Sequence, residues 1–176
     1  MEFHTIPLSP SHVEDAVTLD QKWFGEYGIN SEDLTKYIES YPKGGLALIV
    51  DGSFEGFATF EILEGQSPKD YIGDIPKLSK VLFIQQFTTT TNYSISDMKM
   101  DTELFKAVEH IAKQSGCIEI WEALATTHPY SLGVNKEHDA FGFYLSNNFS
   151  FDNQNTISWS PDPNVSIPCY LFRKKL

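Results

Sequence analysis

Five groups of residues in this chain have the chemistry to do work. Glu61, Glu119 and Glu122 sit in extended, apolar surroundings, and a carboxylate there can accept a proton. Strand alternation puts Glu119 and Glu122 on opposite faces, so at most one of them faces a cleft, and the simpler reading of each is a solvated charge. The neighbouring Gln85 and Gln86 cannot take a proton at neutral pH. His128 and His138 fall in and beside the stretch 125–137, without the His or Cys spacing of a zinc site. Cys117 and Cys169 lie in strand-like runs and read as buried thiols. A nucleophilic Cys117 paired with a loop histidine is the remote alternative. Thr88 to Thr91 with Asn92 form a hydroxyl-rich run that continues a strand or turns to bind an anion. Tyr144 lies beside Phe141 and Leu145 on a helical pattern, where an aromatic is ordinarily core. The chain has neither the G-x-S-x-G elbow of a serine hydrolase nor the G-x-x-x-x-G-K-[ST] loop of a nucleotide site.

The elements that would carry these residues follow from periodicity. A strand is expected over residues 2–8. A helix should begin at Ser9 or Ser11, through a Pro-led first turn or the Ser11/Glu14 capping box, with Val13, Ala16, Val17 and Phe24 inward. A second helix should be capped by Asn30 or Ser31 and carry Leu34, Tyr37, Ile38 and Tyr41 on one stripe. Strands at 46–50 and 55–63 flank the turn signal Asp51-Gly52, and another covers 81–88. A helix starting at about Asp97 or Asp101 should present Met100, Leu104, Val108, Ile111 and Ala112, ending before a left-handed Gly116. A strand at 117–123, a short helix at 138–147, a strand starting at 149–151 and a last strand at 167–173 complete the chain. Residues 152–166 read as a long loop or loosely paired hairpin. The order is β-α-α-β-β-β-α-β-α-β-β, a mixed α/β pattern, and a chain of 176 residues suits one domain.

That order, together with three clusters, resembles the GCN5-related N-acetyltransferase (GNAT) superfamily. The clusters are Val-Asp-Gly-Ser-Phe-Glu-Gly-Phe-Ala at 50–58, the helix at 104–113 ending in Gly116, and Ala-Phe-Gly-Phe-Tyr-Leu-Ser-Asn-Asn-Phe at 140–149. The last is similar to the family's A-x-x-[FL]-Y-x-x-x-G-F signature, with Asn148 in place of the glycine. Asn is the next residue after Gly to tolerate a left-handed conformation. The resemblance implies a three-layer α/β/α fold with a splayed, mostly antiparallel mixed sheet and about four helices. It implies acetyl-CoA or another acyl-CoA as co-substrate, lying between the fourth and fifth strands. The backbone of Gln86, Phe87 and Thr88 would pair with the pantetheine arm, Tyr144 would protonate the leaving thiolate, and no metal would be needed. The acceptor would be a small amine.

The resemblance departs at the family's diphosphate loop, [QR]-x-x-G-x-[GA]. Here residues 96–101 are Ser-Asp-Met-Lys-Met-Asp, with no glycine and no arginine. Lys99 is the one cation there. Asp97 and Asp101 occupy the helix start, where an aspartate is an ordinary cap but competes with a phosphate for the same N–H groups. The single arginine is Arg173.

Composition narrows the classes further. With 13 basic and 24 acidic residues the net charge is −11, so a nucleic-acid backbone or an anionic membrane finds no basic face. The same charge steers a cationic amine in preference to a phosphorylated acceptor. No run approaches a membrane span, no secretory leader is visible, and two cysteines make no disulfide framework, so the cytoplasm is expected. The alternative to an acyltransferase is a GNAT-fold ligand-binding or interaction module, in which loop aromatics Tyr71, Tyr93, Tyr130 and Trp159 line a pocket or a homodimer interface.

Overall fold

The computed structural model describes residues 1–65, 79–125, 137–162 and 165–176. Its elements are β1 (Phe3–Pro7), α1 (Val13–Phe24), α2 (Ser31–Ser40), β2 (Gly45–Val50), β3 (Ser53–Glu64), β4 (Lys80–Thr89), α3 (Lys99–Gln114), β5 (Glu119–Ala125), α4 (Ala140–Ser146), β6 (Ser150–Asp162) and β7 (Val165–Lys175). A 3-10 turn at Pro10–His12 leads into α1, and Ser9 rather than Ser11 opens it, donating its N–H to His12 Nδ1 at 3.1 Å. Asn30 caps α2, accepting from the Asp33 N–H at 2.9 Å. Asp51 and Gly52 take left-handed φ of 48° and 86°, the geometry that a two-residue hairpin between β2 and β3 demands. Gly116 ends α3 at φ 75°, and Asn148 takes φ 65° where the signature has glycine.

The seven strands form one sheet in the order β1-β2-β3-β4-β5-β7-β6. Every neighbouring pair is antiparallel except β4 and β5, which run parallel because α3 carries the chain across between them. This is the mixed, mostly antiparallel sheet with four helices that the resemblance implies. Helices α1 and α2 cover one face through Val13, Ala16, Val17, Leu34 and Ile38 against Ala47 and Phe57. Helices α3 and α4 cover the other. There Leu104, Phe105, Val108, Phe143 and Tyr144 pack on Leu48, Ala58, Leu82, Ile84 and Phe172. Burial of these side chains at roughly 1.5–3 kcal/mol each supplies the drive that holds the layers together.

One boundary differs from expectation. β5 starts at Glu119, two residues later than the apolar pattern suggests: the Cys117 N–H still donates to the Ala112 carbonyl of α3, and pairing begins only with the Ile118 N–H on the Lys80 carbonyl. Of the long loop and the loosely paired hairpin expected over residues 152–166, the hairpin is found, with β6 running through Asp162. β7 provides the ladder, with irregularities between Asp152 and Thr156 and between Trp159 and Asp162. Both cysteines are buried, as expected.

Candidate active site

The site grows from the one parallel pair. Among the described residues the β4–β5 ladder runs from Val81↔Glu119 to Ile84↔Glu122 and stops, since β5 then pairs with β7 alone. Past Ile84 the β4 edge is no longer bonded to β5. Immediately there, β4 carries an extra residue: Phe60 pairs with Ile84 but Thr59 pairs with Gln86, which leaves Gln85 as a bulge. The bulge changes the strand's phase. Leu82 and Ile84 point toward α3 before it, and Phe87 and Thr89 point the same way after it, while Thr88 turns to α1.

Three elements then grip the end of β4. From α1, the buried Asp20 carboxylate accepts from Thr88 Oγ1 at 2.6 Å and from the Ile29 N–H at 2.8 Å. The Trp23 indole N–H donates to the Thr89 carbonyl at 3.0 Å. From α3, Asp101 reaches back rather than capping its own helix, which corrects the simple cap reading. Its carboxylate accepts from Thr89 Oγ1 at 2.8 Å, Thr91 Oγ1 at 2.7 Å and the Tyr93 N–H at 3.1 Å. The intervening Asn92 and Tyr93 take left-handed φ of 41° and 62°, which turns the backbone N–H of Tyr93 inward. From the start of α4, His138 Nδ1 meets the Asn92 carbonyl at 2.8 Å and the Asp139 N–H donates to the Tyr93 carbonyl at 2.9 Å. Burial pushes the carboxyls of Asp20 and Asp101 up, and the donated hydrogen bonds pull against that shift.

A polar cluster lies under this loop. Tyr93 and Tyr144 are both buried, with their hydroxyls 2.8 Å apart, and Tyr93 Oη also approaches the Phe87 carbonyl at 3.4 Å. Glu122, on the same β5 face as Ile120 and Leu124, is only 7% exposed. The solvated-charge reading of Glu122 is therefore wrong: α4 covers the face that a strand pattern alone leaves to water. Desolvation holds its carboxyl well above the usual range, and its charge in turn would raise both tyrosines. Among the described residues, Glu122 Oε2 and both polar atoms of the Asn92 side chain are buried without a hydrogen-bond partner. Such groups are uncommon in folded proteins.

The structure thus brings together residues that lie far apart in sequence. Tyr144 is at the cluster, but Tyr93 stands between it and the β4 edge. Sequence reasoning missed that role, reading Tyr93 as a loop aromatic. Gln86 is half-buried near Thr59 Oγ1 at 3.5 Å, and Phe87 and Thr88 are buried on opposite faces of the strand. Lys99 is exposed as the first residue of α3, its N–H on Asp97 Oδ1 at 3.1 Å. Arg173 lies over the Trp121 ring at 4.5 Å, and Trp121 packs with Val81 and Leu171 on the face away from α3. Glu119 accepts from the Trp121 indole on that same face. Glu61 is half-buried on β3. His128, Tyr71, Tyr130 and the Trp159 side chain lie outside the described residues.

No protein-family model matches the chain, and no curated protein matches it in sequence. Solved structures do match it in shape. Ard1 from Thermoplasma volcanium superposes with a TM-score of 0.70 at 14% identity, covering 100% of this chain and 99% of that one. The GNAT-like decarboxylase GphF, in complex with isobutyryl-CoA, gives 0.72 at 11% identity, covering 98% of each chain. The PaiA N-acetyltransferase from Thermoplasma acidophilum, in complex with coenzyme A, gives 0.61 at 17% identity, covering 100% of both. The chain has the GNAT-like fold. A transferase and a decarboxylase share it, so the fold alone does not choose the reaction.

Proposed function

We propose that this chain is an N-acyltransferase that moves an acetyl or other acyl group from a CoA-type thioester to a small amine. The observation that supports this reading is the opening of the parallel β4–β5 pair beyond Ile84↔Glu122, directly beside the buried hydroxyls of Tyr93 and Tyr144. The β4 edge at Gln86, Phe87 and Thr88 would pair with the amides of the donor's pantetheine arm. In the reaction the amine nitrogen forms a bond to the thioester carbonyl carbon and the C–S bond breaks. The departing thiolate takes a proton from the tyrosine pair, which burial keeps neutral. The proton lost by the attacking nitrogen restores the pair.

The two ends of coenzyme A fare differently against the residues present. The pantetheine end suits the β4 edge. The diphosphate end does not suit the β4–α3 loop, where Asp101 already occupies the donors and only the exposed Lys99 offers charge. That same filled loop favours the second reading, a GNAT-fold binding module without acyl transfer. The net charge of −11 favours a cationic amine as acceptor. Two buried cysteines, too few for a disulfide framework, accord with a reducing compartment such as the cytoplasm, and no described helix is long and apolar enough to cross a membrane.

Thiol release from acetyl-CoA and from S-acetylpantetheine, measured with and without a panel of primary amines, tests the reaction. Amine-dependent release is expected. A ligand at about a hundred times its Kd stabilises the native state by about 2.7 kcal/mol. Absence of both thiol release and a thermal shift with either thioester leaves the binding module as the reading.

A further inference from the structure

The loop between β4 and α3 is where the resemblance puts the donor's diphosphate, and in this chain the loop already holds a negative group of its own. The Asp101 side chain is 0% exposed and takes two hydroxyl donors and one backbone donor, from Thr89, Thr91 and Tyr93. Most of the other N–H groups from Thr90 to Lys99 are spent as well. Thr90 donates to the Glu55 carbonyl at 2.9 Å, Asn92 to Thr89 Oγ1 at 2.8 Å, Ser94 to the Thr91 carbonyl at 3.0 Å, and Ile95 to the Glu137 carbonyl at 2.9 Å. Asp97 donates to the Ser94 carbonyl at 3.0 Å and Lys99 to Asp97 Oδ1. A phosphate is bound at such a loop by N–H groups that have no other partner. Here it would have to break these bonds and sit against a carboxylate in a site sealed from water, where like charges repel most strongly. Trp23 on one side and His138 and Asp139 on the other fix the loop backbone, so it cannot simply open to make room.

We infer that the Asp101 carboxylate stands in for the donor's diphosphate, so that donor recognition ends at the pantetheine arm and the substrate class is acyl-pantetheine thioesters whether or not a nucleotide is attached. This rests on the acyl-thioester reading above.

Binding to the intact chain, measured by calorimetry and thermal shift with pantetheine, coenzyme A and inorganic pyrophosphate, tests it without any turnover. A diphosphate held by charge-assisted bonds would give coenzyme A an advantage over pantetheine on the order of a hundredfold. For the wild type we expect the two affinities to agree within about threefold and pyrophosphate not to bind. Asp101→Ala and Asp101→Gly free the loop donors, and either should gain pyrophosphate binding together with a preference for coenzyme A of about tenfold or more. Pyrophosphate binding by the wild type, a hundredfold wild-type preference for coenzyme A, or folded variants that gain nothing would each overturn the inference. If the variants gain pyrophosphate while the wild type binds neither pantetheine nor coenzyme A, the stand-in role holds and the transferase reading falls. If neither variant folds, the wild-type affinities decide alone, parity supporting the inference. Absence of pantetheine and coenzyme A binding then counts against both readings.

Discussion

Glu122→Gln should change how the stability of this protein depends on pH. Glu122 is 7% exposed, faces the α3 and α4 side of the sheet and leaves Oε2 without a hydrogen bond, so its carboxyl is held protonated well above the ordinary glutamate range by desolvation. In the unfolded chain it ionises normally. A raised folded-state value means that the native state binds the extra proton. The stabilisation is complete below the unfolded value and is lost as pH rises toward the folded one. While that difference lasts, each pH unit costs the native state about 1.4 kcal/mol, so the interval from pH 5 to 7 costs about 2.7 kcal/mol at most. Asp20 and Asp101 are shifted in the same direction and add to the wild-type slope, but they are common to both proteins. Glutamine fills the same volume and does not titrate, so any cost of burying its amide is independent of pH. The expected result is that Glu122→Gln gains on wild type as pH rises above the ordinary glutamate range, by up to about 1.4 kcal/mol for each unit of pH. Urea titrations at pH 5, 6 and 7 resolve this, because about 2 kcal/mol per molar of urea turns the full interval into a midpoint change of roughly 1 M. Parallel stability profiles for the two proteins would show that Glu122 does not keep its proton in the fold.

Other substitutions probe the rest of the site. Thr88→Val takes from buried Asp20 the shorter of its two hydrogen bonds and should destabilise by about 1–3 kcal/mol in denaturant titration, far more than a surface threonine. A double-mutant cycle of Tyr93→Phe and Tyr144→Phe should show a coupling of about 1 kcal/mol in stability, since each hydroxyl is the other's partner at 2.8 Å. If the transferase reading holds, each of these changes also lowers kcat more than it raises KM. Leu104→Ala, at a fully buried α3 position under the loop, should cost about 2–5 kcal/mol by thermal or chemical unfolding.

Much of the fold can be read from the residue pattern, and the reasons are local. Leu104, Val108 and Ala112 keep helical spacing, Asp51-Gly52 has one favourable turn to make, and Asn30 has the donor of its cap three residues on. The hairpin of β6 and β7 was legible only as an alternative to a long loop, because residues 152–162 lack alternation and their pairing is imposed by a strand that comes later in the chain. The site was only half legible. Tyr144 stood out through its place in a signature. Tyr93 sits in no periodic segment, and it reaches the cluster only because two consecutive left-handed residues and the contacts of His138 and Asp139 bend the loop inward. Glu122 looked like a solvated strand charge because alternation describes a strand without saying what covers it. Asp101 was recognisable as a carboxylate at a helix start, but its partners are set by the tertiary meeting of β4 and α3.

The bulge at Gln85 separates the course of the β4 end from the facing of its side chains. Gln85 is exposed and contributes no core volume, so most side chains there would go unnoticed. Deleting the residue would make Ile84 and Gln86 consecutive partners of Phe60 and Thr59, and alternation would still send Phe87 and Thr89 toward α3 and Thr88 toward α1. Asp20 and Asp101 would keep their hydroxyl partners, and Phe87 would keep its place beside Tyr93 and Phe143. What a regular ladder would lose is the bend and added twist that an extra residue gives its strand, at the point where β4 parts from β5. Loss of position 85 should therefore act on the parting of these two strands and spare the buried carboxylates beyond it.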